Sequence, residues 1–142
     1  IVYKNKVLLR MHDKYKIWLS VGGHIELDED PNQAAVREVK EEVGLDVRLV
    51  DKNFAVREAD GYKELLPPKF LHRHKVGESH EHVTLVYFAV AKDDNIKQEE
   101  SEANEEIKWF TEEELDSKEY QIRESIRYHA KEALKELKDI EY

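Results

Sequence analysis

The stretch from Gly23 to Leu45, GHIELDEDPNQAAVREVKEEVGL, constrains this chain more than any other. Its spacing predicts a helix over Pro31 to Val43. Asp30 can serve as N-cap, Pro31 tolerates the first helical position, and Gln33 completes a capping-box pattern. Gly44 takes a left-handed C-terminal stop at no steric cost. Ala35, Val36, Val39 and Val43 form an apolar stripe suited to a core. Glu38, Glu41 and Glu42 are three or four residues apart, or adjacent, and share a neighbouring face. Three carboxylates so close repel one another. On spacing alone Arg37 points elsewhere and Lys40 lies to one side, so neither neutralises that face. A hard cation would: magnesium takes oxygen ligands and pairs a few carboxylates with substrate phosphates. Read alone, such a helix is an ordinary solvated face.

It does not stand alone. The stretch matches G-x5-E-x7-R-E-U-x-E-E-x-G-U, with U a bulky aliphatic residue, through Gly23, Glu29, Arg37, Glu38, Val39, Glu41, Glu42, Gly44 and Leu45. Chance agreement at one start position is on the order of 10⁻⁹ given average residue usage. The pattern resembles the Nudix box, and the chain resembles a Nudix hydrolase. The resemblance implies an α/β/α sandwich with a mixed sheet between helices. It implies hydrolysis of a nucleoside diphosphate linked to another group X, with Mg²⁺ or Mn²⁺ as cofactor. It makes Glu38, Glu41 and Glu42 the metal ligands, with Gly23 offering a backbone carbonyl. Arg37 and Glu29 would pair across the loop and orient the helix. Gly22 would let the backbone approach the phosphates. Val21 stands where many relatives have proline, a departure that leaves the carboxylates untouched.

Size and charge agree. The chain has 142 residues, is 40% hydrophobic and carries a formal net charge of −9. One domain over 1–142 is expected. Such acidity argues against a nucleic-acid polymer or an anionic membrane as partner. No cysteine is present, which excludes a disulfide framework and a thiol nucleophile. No apolar run is long enough to span a bilayer and no signal peptide is visible. The chain opens on Ile1 rather than Met, so its natural start is expected upstream. A cytoplasmic enzyme acting on a small nucleotide derivative is the resulting expectation. The family includes dimers, so a homodimer stays open.

Along the chain, Ile1–Tyr3 and Val7–Leu9 read as strands around a Lys4-Asn5-Lys6 turn. Arg10 follows the second strand and could reach a phosphate. Ile17–Leu19 forms the next strand. Glu26 is either an extra acid near the metal or a solvent-facing strand residue. Asp46 to Leu49 and Asn53 to Arg57 read as strands. The stretch from Asp60 to about His82 reads as a long substrate-selecting loop. His72, His74, His80 and His82 form two H-x-H pairs there. They lack the spacing of a structural zinc site, and His80 or His82 is expected to line the pocket instead. Glu78 and Glu81, and more weakly Glu58 and Glu64, compete with a box glutamate as general base.

Val83 to Ala91 reads as one central strand covered on both faces. The acidic stretch Asp93 to Glu106 reads as a loop. Its Glu102, Glu105 or Glu106 could approach the metal. Ile107–Phe110 reads as the last strand. Thr111 and Glu114 read as a second capping box with a Phe110–Leu115 staple, and a closing helix is expected over Ser117 to Leu137. Two other functions are weighed. A non-catalytic nucleotide sensor has no need of three unneutralised carboxylates. A diphosphate isomerase of this fold would require the missing cysteine.

Overall fold

Alternation of side chains along short strands gives this sheet two apolar faces, and helices cover both. The computed structural model of the protein describes residues 1–12, 14–98 and 106–142. The strands are β1 (Val2–Tyr3), β2 (Lys6–His12), β3 (Ile17–Leu19), β4 (Val47–Leu49), β5 (Glu58–Ala59), β6 (Tyr62–Lys63), β7 (Phe70–Lys75), β8 (Glu81–Val86), β9 (Ala89–Ala91) and β10 (Ile107–Phe110). The helices are α1 (Pro31–Val43), α2 (Glu112–Asp116) and α3 (Glu124–Leu137). A mixed sheet runs β10-β2-β1-β9-β4, with β3 also on β2. The β1–β9 pair is parallel and the other pairs of this sheet are antiparallel.

Odd and even positions divide the core. Leu8, Ala89 and Ala91 turn to one face and pack with Val39 and Val43 of α1 and with Leu45. Val7, Leu9, Phe88 and Val90 turn to the other and pack with Phe110, Leu115 and the α3 residues Ala130, Ala133, Leu134 and Leu137. This is the expected sandwich.

The helix signals hold. The Asp30 carboxylate accepts from the N–H groups of Asn32 and Gln33, and the Gln33 side chain returns a bond to the Asp30 N–H. Gly44 closes α1 at φ 70°, where a Cβ would also meet Lys97 at 2.7 Å. Thr111 and Glu114 make the second capping box, and Phe110 and Leu115 are both buried. Ala34, rather than Val36, joins Val39 and Val43 in the buried face; Val36 is exposed.

Several expectations are corrected. The run Val83 to Ala91 is two strands, not one. Among the described residues its first half, in β8, pairs only with β7, in a separate hairpin, and Val83 is 66% exposed. Only Phe88 to Ala91 is buried. An apolar run does not state which partner it will find, and β7 supplies a mostly charged and imidazole-bearing one. The stretch 60–82 is therefore not an irregular loop but largely hairpin. Asn53 to Arg57 is not a strand, because the Asp51 carboxylate caps the Asn53 N–H and turns the chain. Arg10 lies inside β2, opposite Leu19, rather than after it. The closing helix starts at Glu124, not Ser117: Gln121 sits at φ 49°, outside helical space, although Ile122 still reaches the core.

Two contacts fasten the hairpin side. The Asn32 side chain bonds both backbone groups of Leu66, at 3.0 and 2.8 Å, and so ties the approach to β7 to the start of α1. Lys69 pairs with Asp51 at 2.9 Å and with Glu136 of α3.

Phe110 is fully buried and sits edge-on to Trp18 and Tyr120. Phe110→Ala should cost about 3–5 kcal/mol of unfolding free energy. Leu71→Ala, at an exposed hairpin position, should stay within about 0.5 kcal/mol. Urea titration of both variants checks the difference.

Candidate active site

The turn after β3 and the exposed face of α1 meet around one arginine. Arg37 donates from Nε and Nη2 to the two carboxylate oxygens of Glu29, at 2.9 and 2.7 Å. Nη2 also donates to the His24 carbonyl at 3.0 Å. Nη1 donates to Glu38 at 3.0 Å and to Glu41 at 2.7 Å. The helix spacing had aimed Arg37 away from those carboxylates. The structure corrects this, because a long side chain can swing along the helix toward the next turn.

Glu42 faces the sheet side. It accepts from the Gly22 N–H at 3.0 Å and pairs with Arg10 Nη2 at 2.8 Å. Four carboxylates, Glu29, Glu38, Glu41 and Glu42, thus meet two guanidiniums, Arg10 and Arg37. Two formal negative charges remain, a local field that draws cations.

The two glycines do different work. Gly22 holds φ 149°, a conformation side chains disfavour. At Gly23 a Cβ would lie 2.4 Å from the Glu38 carboxylate, so only glycine lets that group sit against the turn. Glu38 is 15% exposed and Glu41 56% exposed, which makes Glu41 the open end of the set.

Electrostatics follow the bonding. The Arg37 fork, then the Glu26 N–H, holds the Glu29 carboxyl down at about 2. The same pairing, with Glu29 foremost, raises Arg37. His82 is pushed below the ordinary imidazole value by burial, then by His80, His24 and His74.

The other candidates are spread more widely. Glu26 is exposed, on irregular backbone rather than a strand; its N–H donates to Glu29. His82 faces His24, ring centroids 5.4 Å apart, which brings the β7–β8 hairpin beside the box turn. Glu81 pairs with Arg73 at 3.5 Å, on the hairpin face opposite His82. Glu78 lies in the hairpin turn. Glu64 is held by Arg57, and Glu58 is exposed in β5. Glu106 gives its carbonyl to the Met11 N–H; Glu102 and Glu105 lie outside the described residues. The sequence reading missed His24, whose carbonyl and ring touch both halves of the site. Its place next to Gly23 was the available signal.

The residue types fit a hard divalent cation. They are carboxylates on one helix face, beside a turn kept clear of side chain at Gly23. Among the described residues no three acidic or imidazole groups already converge on a single point. Glu38 and Glu41 share Arg37 instead, so a bound cation would compete with that guanidinium for them.

A family model for the NUDIX domain matches residues 1–131. The structure is similar to that of a NUDIX-family hydrolase from Clostridium perfringens, 35% identical, with a TM-score of 0.79 over 93% of this chain and 89% of that one. It shares its fold with a MutT NUDIX hydrolase from Burkholderia pseudomallei, 21% identical, TM-score 0.62, over 96% and 92% of the two chains. A stretch of 68 residues is 41% identical to part of an octanoyltransferase of Myxococcus xanthus. It is 46% of this chain and 18% of that protein, so the chain spans under a fifth of that relative's length.

Because folding depresses the Glu29 pKa from 4.5 to about 2, its stabilisation is complete above the unfolded value and is lost as pH falls toward 2. Stability of the protein should therefore fall between pH 5 and pH 2. The fall should be shallower in Glu29→Gln. Urea midpoints measured across that window test this; parallel curves would remove the pair from the acid response.

Proposed function

This chain belongs to the NUDIX family of pyrophosphohydrolases, and on that premise we propose that Glu38, Glu41 and Glu42 hold one or more Mg²⁺ or Mn²⁺ ions against the diphosphate of a nucleoside diphosphate derivative. The observation that carries this reading is the approach of Glu38 to the Gly22–Gly23 turn, in a space that any Cβ would fill. When bound, the metal supplies charge neutralisation on the phosphoryl oxygens and acidifies the attacking water.

The chain's own residues do the rest. Gly22 and Gly23 let the backbone approach the phosphates. Glu29 fixes the Arg37 fork, and Arg37 sets the rotamers of Glu38 and Glu41. Arg10 and the Gly22 N–H set Glu42. Water attacks one phosphorus, a box carboxylate takes its proton, and the bond to the bridging oxygen breaks. The products are a nucleoside monophosphate and phosphate-X, or pyrophosphate from a triphosphate. Glu41, the most open carboxylate of the box, is our choice for the base. The placement of Glu81 on the hairpin face opposite His82, away from the box turn, supports that choice.

The substrate is one of four kinds: a nucleoside triphosphate or its oxidised form, ADP-ribose, a nucleotide sugar, or a dinucleoside polyphosphate. The β7–β8 hairpin, with His82 beside the box, is the wall that would read the X group. No described helix is long and apolar enough to cross a membrane. We assign the enzyme to the cytoplasm and treat residues 1–142 as one domain.

A panel of these compounds with Mg²⁺ or Mn²⁺ should give turnover of at least one. Glu41→Gln keeps an acceptor for Arg37 but loses the charge. It should lower kcat about 10²–10³-fold, the equivalent of several kcal/mol of lost charge stabilisation. An equal loss in Glu81→Gln would move the base to the hairpin.

Gly23→Ala pushes Glu38 off the turn. It should cost on the order of 10²-fold in kcat, as small misplacements of reacting groups do. Steady-state assays on the turned-over compound check it; wild-type kcat would remove the Gly23 contact from the mechanism.

A further inference from the structure

The chain has seven histidines, and six of them make one line of ring contacts outside the carboxylate set. His82 is the hub. Its ring centroid lies 4.7 Å from His80, 5.4 Å from His24 and 5.6 Å from His74. His74 and His82 are register partners across the hairpin. The Nε2 atoms of His80 and His82 are 2.8 Å apart. From His74 the line continues through His72 to His129 on α3.

These spacings suit shared ligation. Two imidazoles bound to one tetrahedral ion, each at about 2.0–2.1 Å, hold their ring centroids about 5 Å apart. They suit an anion poorly. A neutral ring offers phosphate a single N–H, and charging rings this close is opposed by their mutual repulsion. Neutral rings each offer a lone pair. Arg73 and Lys75, the residues of β7 that would attract an anion, alternate onto the opposite face.

We propose that His80 and His82, joined by His74 from the facing strand, chelate a borderline divalent cation such as Zn²⁺, Ni²⁺ or Cu²⁺. This site is distinct from the box. Imidazole nitrogen favours those ions, whereas the box carboxylates favour Mg²⁺ or Mn²⁺. The Nε2 atoms of His80 and His82 share a hydrogen bond at 2.8 Å, which a bound ion would replace as the two nitrogens part to about 3.3 Å. The third nitrogen does not yet converge with them. His74 is exposed, so a change of rotamer brings it in at small cost.

The test uses metal binding rather than turnover. Isothermal titration of the full chain with Ni²⁺ should show one site. That site should persist in Glu38→Gln/Glu41→Gln and weaken at least about tenfold in His80→Ala/His82→Ala. Cu²⁺ added to the wild-type chain at one equivalent should show imidazole nitrogen couplings by electron paramagnetic resonance, a readout that needs no variant to fold. Absent couplings would overturn the proposal. So would Ni²⁺ affinity that is unchanged in the histidine variant, or that vanishes with the carboxylates. Metal-free binding of pyrophosphate that disappears in His80→Ala/His82→Ala would also overturn it and make the patch an anion site.

Discussion

One guanidinium organises the acidic face of this protein. Arg37 spans the loop carboxylate Glu29, the turn carbonyl of His24, and two carboxylates of its own helix. Without it, Glu38 and Glu41 would relax away from each other, because like charges on adjacent turns repel. With it, they stay gathered yet incompletely neutralised. The planar fork matters, since lysine offers a single charged point and could not hold a carboxylate with two parallel bonds. The glycine turn and the helix are thus fixed to each other by charge and directional bonding. The sheet and the apolar core need only bring them near.

The parts of the molecule readable in advance were those that depend on local chemistry. Asp30, Pro31, Gln33 and Gly44 each act on backbone groups within a few residues, so the bounds of α1 follow from them directly. The Thr111–Glu114 box and the Phe110–Leu115 staple are legible for the same reason. The box pattern carries the likeness to the family, and the match over residues 1–131 bears that likeness out.

What the sequence hid depends on partners distant in the chain. Val83 to Ala91 looks uniform, yet its halves pair with different strands, since nothing in an apolar run names its neighbour. Arg37 was misread because helical spacing fixes where a Cβ points and not where a long side chain ends. Arg10 gave no sign that it would meet Glu42, since the pair joins residues on β2 and α1. The histidines show the same limit. Two H-x-H pairs are weak as text, but cross-strand register and the neighbouring turn assemble them with His24 into one patch.

Among the described residues the hairpin of β7 and β8 pairs with no strand of the main sheet, and its tip, residues 76–80, is exposed and belongs to neither apolar cluster. Its base is anchored by Lys69 and by Phe70 stacked on His129. Residues can therefore be gained, lost or exchanged at the tip without disturbing the packing that holds α1 against the sheet. A lineage of such proteins is free to vary the length and chemistry of one end of a ribbon while the glycine turn, the guanidinium and the capped helix stay as they are.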